Sequence, residues 1–327
     1  MKTWKSYTKG FIFSLVGNDI NLKKKLDYAL KNNHLVILNL HKISPQDSSS
    51  WKALDPNTFR ALLNFISKNF EVLTFKDIEK AIVDASNRPR MILSFDDGYK
   101  NFIEYAMPIL ADFKIKVNQN IIPNCSLKGV PPLNVIAQDW IGQAPMNLIQ
   151  KLDIPEFSLP SGIRDKTSLG NKISQFLKFK PFEQQQEYSK YLLPQFEKFD
   201  KFQWTKIMGI EEIRSIIPDH EIGLHSMNHE SMNVETDEYF KKDVTDCLKF
   251  ANEQLKIAHP IYAFPNGAFR INQIEILRQS GFRQMLLVGD KVSNTKNDCH
   301  YRFNFHADCS TEAKYKATGN LLSIRKK

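Results

Sequence analysis

Two adjacent carboxylates, Asp96 and Asp97, stand directly after an apolar run, Met91-Ile92-Leu93-Ser94-Phe95. Buried paired negative charge is costly unless a cation compensates it; otherwise one carboxyl protonates. Gly98 then permits a tight turn into a helix beginning near Tyr99. Taken alone, Asp-Asp-Gly is equally a plain turn with a helix N-cap. A second cluster, Gly223-Leu224-His225-Ser226-Met227-Asn228-His229, sets two imidazoles four residues apart. On a helical turn that spacing puts both on one face, able to share a metal, although such pairs are also ordinary surface or core histidines. A third cluster, Ala263-Phe264-Pro265-Asn266-Gly267, is a Pro-x-Gly turn that can aim a backbone N–H at an oxyanion or simply reverse the chain. Jointly the clusters supply one Asp and two His for a three-ligand divalent metal with open positions, and a second Asp as base. That is a minimum kit for hydrolysing an amide or ester.

Each cluster ends an expected strand, and the strands must bring the clusters together. Leu35 to Leu40, Met91 to Phe95, Ile115 to Ile122, Glu221 to Leu224, Ile261 to Phe264 and Gln284 to Val288 are apolar, β-branched runs of buried-strand length. Helical patterns lie between them: Asp55 to Lys68 with Pro56 in its first turn, Tyr99 to Phe113, Gly209 to Ile217, Thr236 to Leu255, and Asn272 to Gln279 with Gly281 as its C-terminal cap. Alternation of this kind predicts a largely parallel α/β sheet, open or closed into a barrel, with catalytic groups at the strands' C-terminal ends. Residues 126–205 break the rhythm: rich in Pro, Gly, Gln and Lys, they read as an insertion, helical around 183–200, that caps the site. The expected division is an N-terminal helical segment (1–34), a barrel (35–125 and 206–310), the insertion (126–205) and a C-terminal tail (311–327).

With 327 residues, 42% apolar and 25% charged, the chain can bury a large core. The net charge of +9 favours anionic partners, although the excess is spread over the surface apart from Arg325-Lys326-Lys327. Four cysteines without a Cys-x-x-Cys pair exclude a zinc knuckle or thioredoxin-like motif and suit reduced thiols. The first apolar run, Phe11 to Val16, is too short for a signal-peptide core or a membrane span. These features give the expectation of a cytoplasmic protein. No nucleic-acid motif accompanies the basic charge, and no nucleic-acid partner is expected.

Phe95-Asp96-Asp97-Gly98, His225-Ser226-x-x-His229 and Phe264-Pro265-Asn266-Gly267, in this order and spacing, resemble the polysaccharide deacetylases (carbohydrate esterase family 4, the nodulation-protein homology domain). Further points of likeness are the opening strand Ile37 to Ile43, the segment Trp51 to Leu63 as a first helix, and Gly281-Phe282 ahead of a late strand. The resemblance implies a distorted (β/α)7-8 barrel with a partly helical insertion. It implies that Asp97, His225 and His229 hold a divalent metal, usually zinc, that Asp96 is the base for the metal-bound water, and that the Asn266 backbone N–H stabilises the oxyanion. The chain departs from the family where Ala263 replaces an arginine that orients the catalytic Asp. Arg302 is a candidate to fill that role, and His306 a candidate general acid, each with a structural role as the alternative. His41, Tyr99, Pro265 and Trp140 are candidate substrate contacts, and Trp204 and Phe269 further sugar-stacking aromatics, against core roles for the same rings.

By this resemblance the chain is expected to remove an N-acetyl or O-acetyl group from a carbohydrate during surface-glycan assembly. A nucleotide- or lipid-phosphate-linked substrate suits the basic charge, with peripheral contact to the inner face of the membrane. The alternatives are hydrolysis of small cyclic amides such as allantoin, and a non-catalytic glycan-binding relative.

Overall fold

The computed structural model describes residues 13, 16–78, 86–160, 162, 165–258 and 260–318. Most of the Phe11-to-Val16 run, the start of the N-terminal segment and the end of the tail with Arg325-Lys326-Lys327 lie outside them.

Eight strands form: β1 (Leu35–Leu40), β2 (Glu71–Val72), β3 (Arg90–Phe95), β4 (Asn118–Ile121), β5 (Glu221–Leu224), β6 (Ile261–Ala263), β7 (Gln284–Val288) and β8 (Cys299–Asn304). All pair in parallel, in the order β1-β8-β7-β6-β5-β4-β3, and β1 returns to β3 along six residues from Leu35 opposite Arg90 to Leu40 opposite Phe95. The result is a closed seven-stranded barrel. The short β2 shares the other edge of β3, pairing with Arg90 and Met91 while β4 pairs with Ser94 and Phe95.

Strand alternation decides what fills the barrel. Leu35, Ile37, Ile92, Ile261, Ala263 and Leu286 pack together inside its lower part. One step further up each strand the same face turns polar: Asn39 on β1, Ser94 on β3, Asn118 and Asn120 on β4, Arg302 on β8, all buried. The opposite faces, with Val36, Leu38, Met91, Leu93 and Phe95, join the large core under the surrounding helices. Among these are α1 (Asp19–Lys31) and α2 (Pro56–Asn69), the latter capped by Asp55, whose carboxylate accepts from the Asn57 and Thr58 N–H groups.

β8 was not expected as a strand. Arg302 on it reaches Asp96 in the polar upper barrel and Asn304 accepts from the Asn39 side chain, while His300 lies lower, its ring against Phe75 and its Nε2 2.7 Å from Gln284 Oε1. The segment between β4 and β5 is also more helical than expected. Besides α5 (Phe182–Phe196) it forms α3 (Leu133–Gln143) and α4 (Lys166–Lys178), around a separate core of Trp140, Ile141, Ile149, Ile173, Leu177, Leu192 and Phe196. Leu169, Ile173 and Leu177 recur at helical spacing, but the lysines and glutamines between them hide the pattern. Two glycines let these helices dock tightly on the loop after β1. A Cβ on Gly142 would sit 2.0 Å from the Ser48 carbonyl oxygen, and one on Gly170 would sit 1.9 Å from Ser50 Oγ. α3 and α4 are thereby fixed over the C-terminal end of the barrel.

Candidate metal centre and active site

The end of β3 delivers the two carboxylates to opposite sides of one turn, because Asp97 (φ 75°) and Gly98 (φ 71°) both take left-handed backbone. Asp96 points down into the polar barrel and Arg302 meets it with a two-pronged grip. Nη1–H donates to Oδ1 at 2.6 Å and Nη2–H to Oδ2 at 2.9 Å. The same guanidinium also donates to Ser94 Oγ and to Asn39 Oδ1, and Asn120 donates to Asp96 Oδ1 at 2.7 Å. Oδ1 therefore accepts two hydrogen bonds and Oδ2 one, among the described residues. Oδ2 keeps a free lone pair and lies 3.7 Å from His225 Nε2. Burial raises the Asp96 pKa, but the charges of Arg302 and His225 and the Arg302 hydrogen bonds outweigh it and hold the carboxyl well below the usual carboxylate range.

His225 and His229 do not share a helix face, as the spacing suggested. They flank an irregular turn after β5 in which Ser226 (φ 53°) and His229 (φ 69°) are left-handed. That costly backbone is held from below. The buried Glu230 carboxylate accepts from Ser226 Oγ at 2.6 Å, from the Asn228 N–H and side chain, and from Tyr239 Oη, while Asp243 accepts from the Met227 N–H at 2.7 Å. His225 Nδ1 faces the Ala263 carbonyl at 2.8 Å, so it carries the proton and leaves Nε2 as the electron-pair donor. Both Nε2 atoms converge on Asp97 Oδ1, at 3.5 Å from His225 and 3.3 Å from His229.

Three ligand atoms, one each from Asp97, His225 and His229, lie within 4.8 Å of one another, and all three residues are buried. Asp97 Oδ1 is among the buried polar atoms with no hydrogen-bond partner. Burial lowers the His229 pKa to about 4, against the opposing pull of Asp97, so its ring is neutral near pH 7 and ready to bind a metal. An orphaned carboxylate oxygen facing two imidazole Nε2 atoms is costly as it stands and suits a divalent cation with N,N,O ligands. The donor set fits the metal that the sequence implied.

A cavity of about 310 Å³ opens above this centre. The barrel contributes Asn39, His41, Asp96, Asp97, His225, His229, Asn266, Asn304 and His306; the insertion contributes Asn134, Val135, Gln138, Asn171, Ser174, Gln175 and Lys178. Asn266 takes left-handed backbone (φ 59°) on the wall, its side chain donating to Ser231 Oγ. His306 stands half-exposed at the rim, 3.3 Å from Asp308. His41 lines the wall edge-on to Trp51, with ring centroids 5.1 Å apart.

Arg302, offered by the sequence as the arginine that orients Asp96, is wholly buried beneath that carboxylate and grips it without reaching the cavity. Three expected substrate contacts are corrected. Tyr99 is also wholly buried, packed with Ile122, Cys125, Val135 and Ile207, and it does not line the cavity. Trp140 is stacked on Phe196 and donates to the Phe196 carbonyl, a core role within the insertion. Pro265 is buried under the Asn266 turn rather than on the cavity wall. Trp51 precedes α2, which starts at Pro56, and with Phe305 it lines the cavity. Nothing in the sequence around Trp51 or Lys178 distinguished them from other loop and helix residues.

Residues 203–285, which hold the histidine turn and the Asn266 turn, match the family model for polysaccharide deacetylase. No curated protein sequence matches the chain. Among solved structures, the Streptococcus pyogenes deacetylase PplD in complex with acetate is similar at a TM-score of 0.56 and 12% identity, over 87% of this chain and 98% of that one. IcaB from Ammonifex degensii is similar at 0.56 and 15%, over 88% and 98%. The de-N-acetylase from Aggregatibacter actinomycetemcomitans is similar at 0.52 and 14%, over 87% and 99%. Identities this low speak for a shared fold. The matched segment resembles polysaccharide deacetylases in sequence, and the barrel as a whole shares the fold of these solved structures.

Proposed function

We propose that the chain is a metal-dependent deacetylase that removes an N-acetyl, or alternatively an O-acetyl, group from a carbohydrate during surface-glycan assembly. The observation that carries this reading is the orphaned Asp97 Oδ1 facing His225 Nε2 and His229 Nε2, with the clamped carboxylate of Asp96 alongside. Asp97, His225 and His229 would hold the cation, zinc being the metal that N,N,O donors suit well. When bound, such a cation supplies Lewis-acid chemistry, polarising the acyl carbonyl and acidifying a water. Asp96 is ionised throughout the neutral range, and its Oδ2 lone pair accepts the proton of the attacking water. Arg302 fixes that lone pair in direction and keeps the carboxylate charged. The Asn266 backbone N–H is the proposed oxyanion donor, and His306 at the rim the proposed proton donor to the leaving amine. The division into a barrel of residues 35–125 and 206–310 under a cap of 126–205, a cytoplasmic or membrane-surface location, and a phosphate-linked substrate belong to the same proposal. Among the described residues no helix is long and apolar enough to cross a membrane.

Acetate release from a panel of N-acetylated and O-acetylated sugars, with and without zinc, tests the reading. Metal-dependent release that disappears in Asp97→Ala supports it. Turnover of a cyclic amide without acetate release, or acetate release unaffected by chelation, contradicts it.

A further inference from the structure

We infer that the roofed cavity holds a subsite for a phosphate on the sugar, read by Lys178 at the end of α4; the inference rests on the deacetylase function proposed above. α4 is two-sided. Leu169, Ile173 and Leu177 pack into the insertion core, while Asn171, Ser174, Gln175 and Lys178, at i, i+3, i+4 and i+7, line the cavity. A polar stripe at this spacing on a docked helix normally faces solvent; here it faces the metal centre. Among the described residues no carboxylate forms an ion pair with the Lys178 ammonium, whose one close charge-seeking contact is the Phe179 ring at 5.4 Å. Burial lowers the Lys178 pKa and the Asp97 charge raises it, and the Lys178 charge in turn acts on His229, so ammonium and metal centre feel one another.

The charges around the cavity do not answer that ammonium. Arg302 already matches Asp96. A divalent cation on the trio would exceed the Asp97 charge, leaving Lys178 to add to a surplus of positive charge. A substrate bringing an anionic group relieves it. A single ammonium surrounded by neutral amide and hydroxyl groups suits a phosphate, which lysine binds as a point charge; a uronic-acid carboxylate is the competing anion. The volume agrees. At about 310 Å³ the cavity is near the lower end of ligand pockets, roughly 300–1,000 Å³, which fits one sugar with a substituent rather than a run of polymer.

The test compares acetate release from N-acetylglucosamine with release from its 1-phosphate and 6-phosphate, and from an N-acetylated uronic acid. The wild-type protein should show a KM at least about tenfold lower for one of the two phosphates than for the neutral sugar, with the advantage shrinking as salt rises. Lys178→Gln should abolish the difference and Lys178→Arg should retain most of it. Equal KM values for neutral and phosphorylated sugars in the wild type, a preference confined to the uronic acid, or a preference that survives in Lys178→Gln would overturn the inference. If no sugar yields acetate, calorimetric binding of the sugar phosphates to zinc-treated wild type and Lys178→Gln decides separately. Binding lost only in the variant keeps the subsite while the deacetylase reading falls, and equal or absent binding ends both.

Discussion

At the scale of single residues, the site divides labour between two adjacent carboxylates by giving them opposite surroundings. Asp96 is bound by Arg302 and Asn120 and stays ionised; Asp97 keeps its Oδ1 without a hydrogen-bonding partner between two imidazoles. Replacing Asp96 by Asn keeps the shape and removes the proton acceptor, so kcat should fall by roughly 10²–10⁴, the usual contribution of a general base. Arg302→Met should depress kcat with a smaller effect on KM, and it should lift the acid limb of the kcat–pH profile, because the carboxylate loses the charge that keeps its pKa low. An unchanged acid limb would argue against the clamp. Beneath the histidines, Glu230 gathers four donors under a turn with two left-handed residues. Glu230→Gln should weaken zinc binding about 10- to 100-fold, as loss of outer partners commonly does, measured by titration against a chromogenic chelator. Undiminished affinity would make Glu230 a purely structural carboxylate.

At the scale of elements, the barrel was legible because its strands are continuous apolar runs and its chemistry sits where each run stops. Asp96-Asp97, His225-x-x-x-His229 and Asn266 needed only parallel strands of matching direction to meet. What the sequence hid was long-range. β8 was not read as a strand because Arg302 and Asn304 find their polar partners across the barrel, a pairing no local pattern encodes. Tyr99 and Trp140 looked like sugar-binding rings because nothing nearby in sequence shows that Val135 or Phe196 covers them. In the insertion, α4 is told by only three apolar residues, Leu169, Ile173 and Leu177, and the placement of α3 and α4 by two glycines. Gly142→Ala would drive a methyl into the Ser48 carbonyl. It should cost about 1–3 kcal/mol of stability, in the range of overpacking substitutions. It should also raise KM for the sugar while leaving zinc affinity nearly intact, a split that denaturant unfolding and a metal titration can read together.

At the scale of the whole molecule, buried titratable groups at both ends of the barrel make stability depend on pH. His300 is buried on β8 with Nε2 2.7 Å from Gln284 Oε1, and burial lowers its pKa to about 4, against the smaller upward pull of Asp298. Unfolded, the ring would titrate near 6.5. Between these values the unfolded chain binds the extra proton, so stability is complete above about pH 6.5 and is lost as pH falls toward 4. His300→Gln should flatten that part of the curve in urea unfolding across pH 4–7, whereas an unaltered slope would place the dependence elsewhere. Asp96 acts lower down: with its pKa depressed by Arg302, its contribution is present above the ordinary carboxylate range near 3.9 and fades only as pH falls below it.

Calorimetric titration of chelator-stripped protein with zinc asks whether three side chains from two strand ends share one ion. The account predicts one equivalent bound per chain, with affinity lowered by more than about 100-fold in His229→Ala and Asp97→Ala variants that remain folded by circular dichroism. A wild-type protein that takes up no zinc, or variants that bind it as tightly as the wild type, would contradict the account.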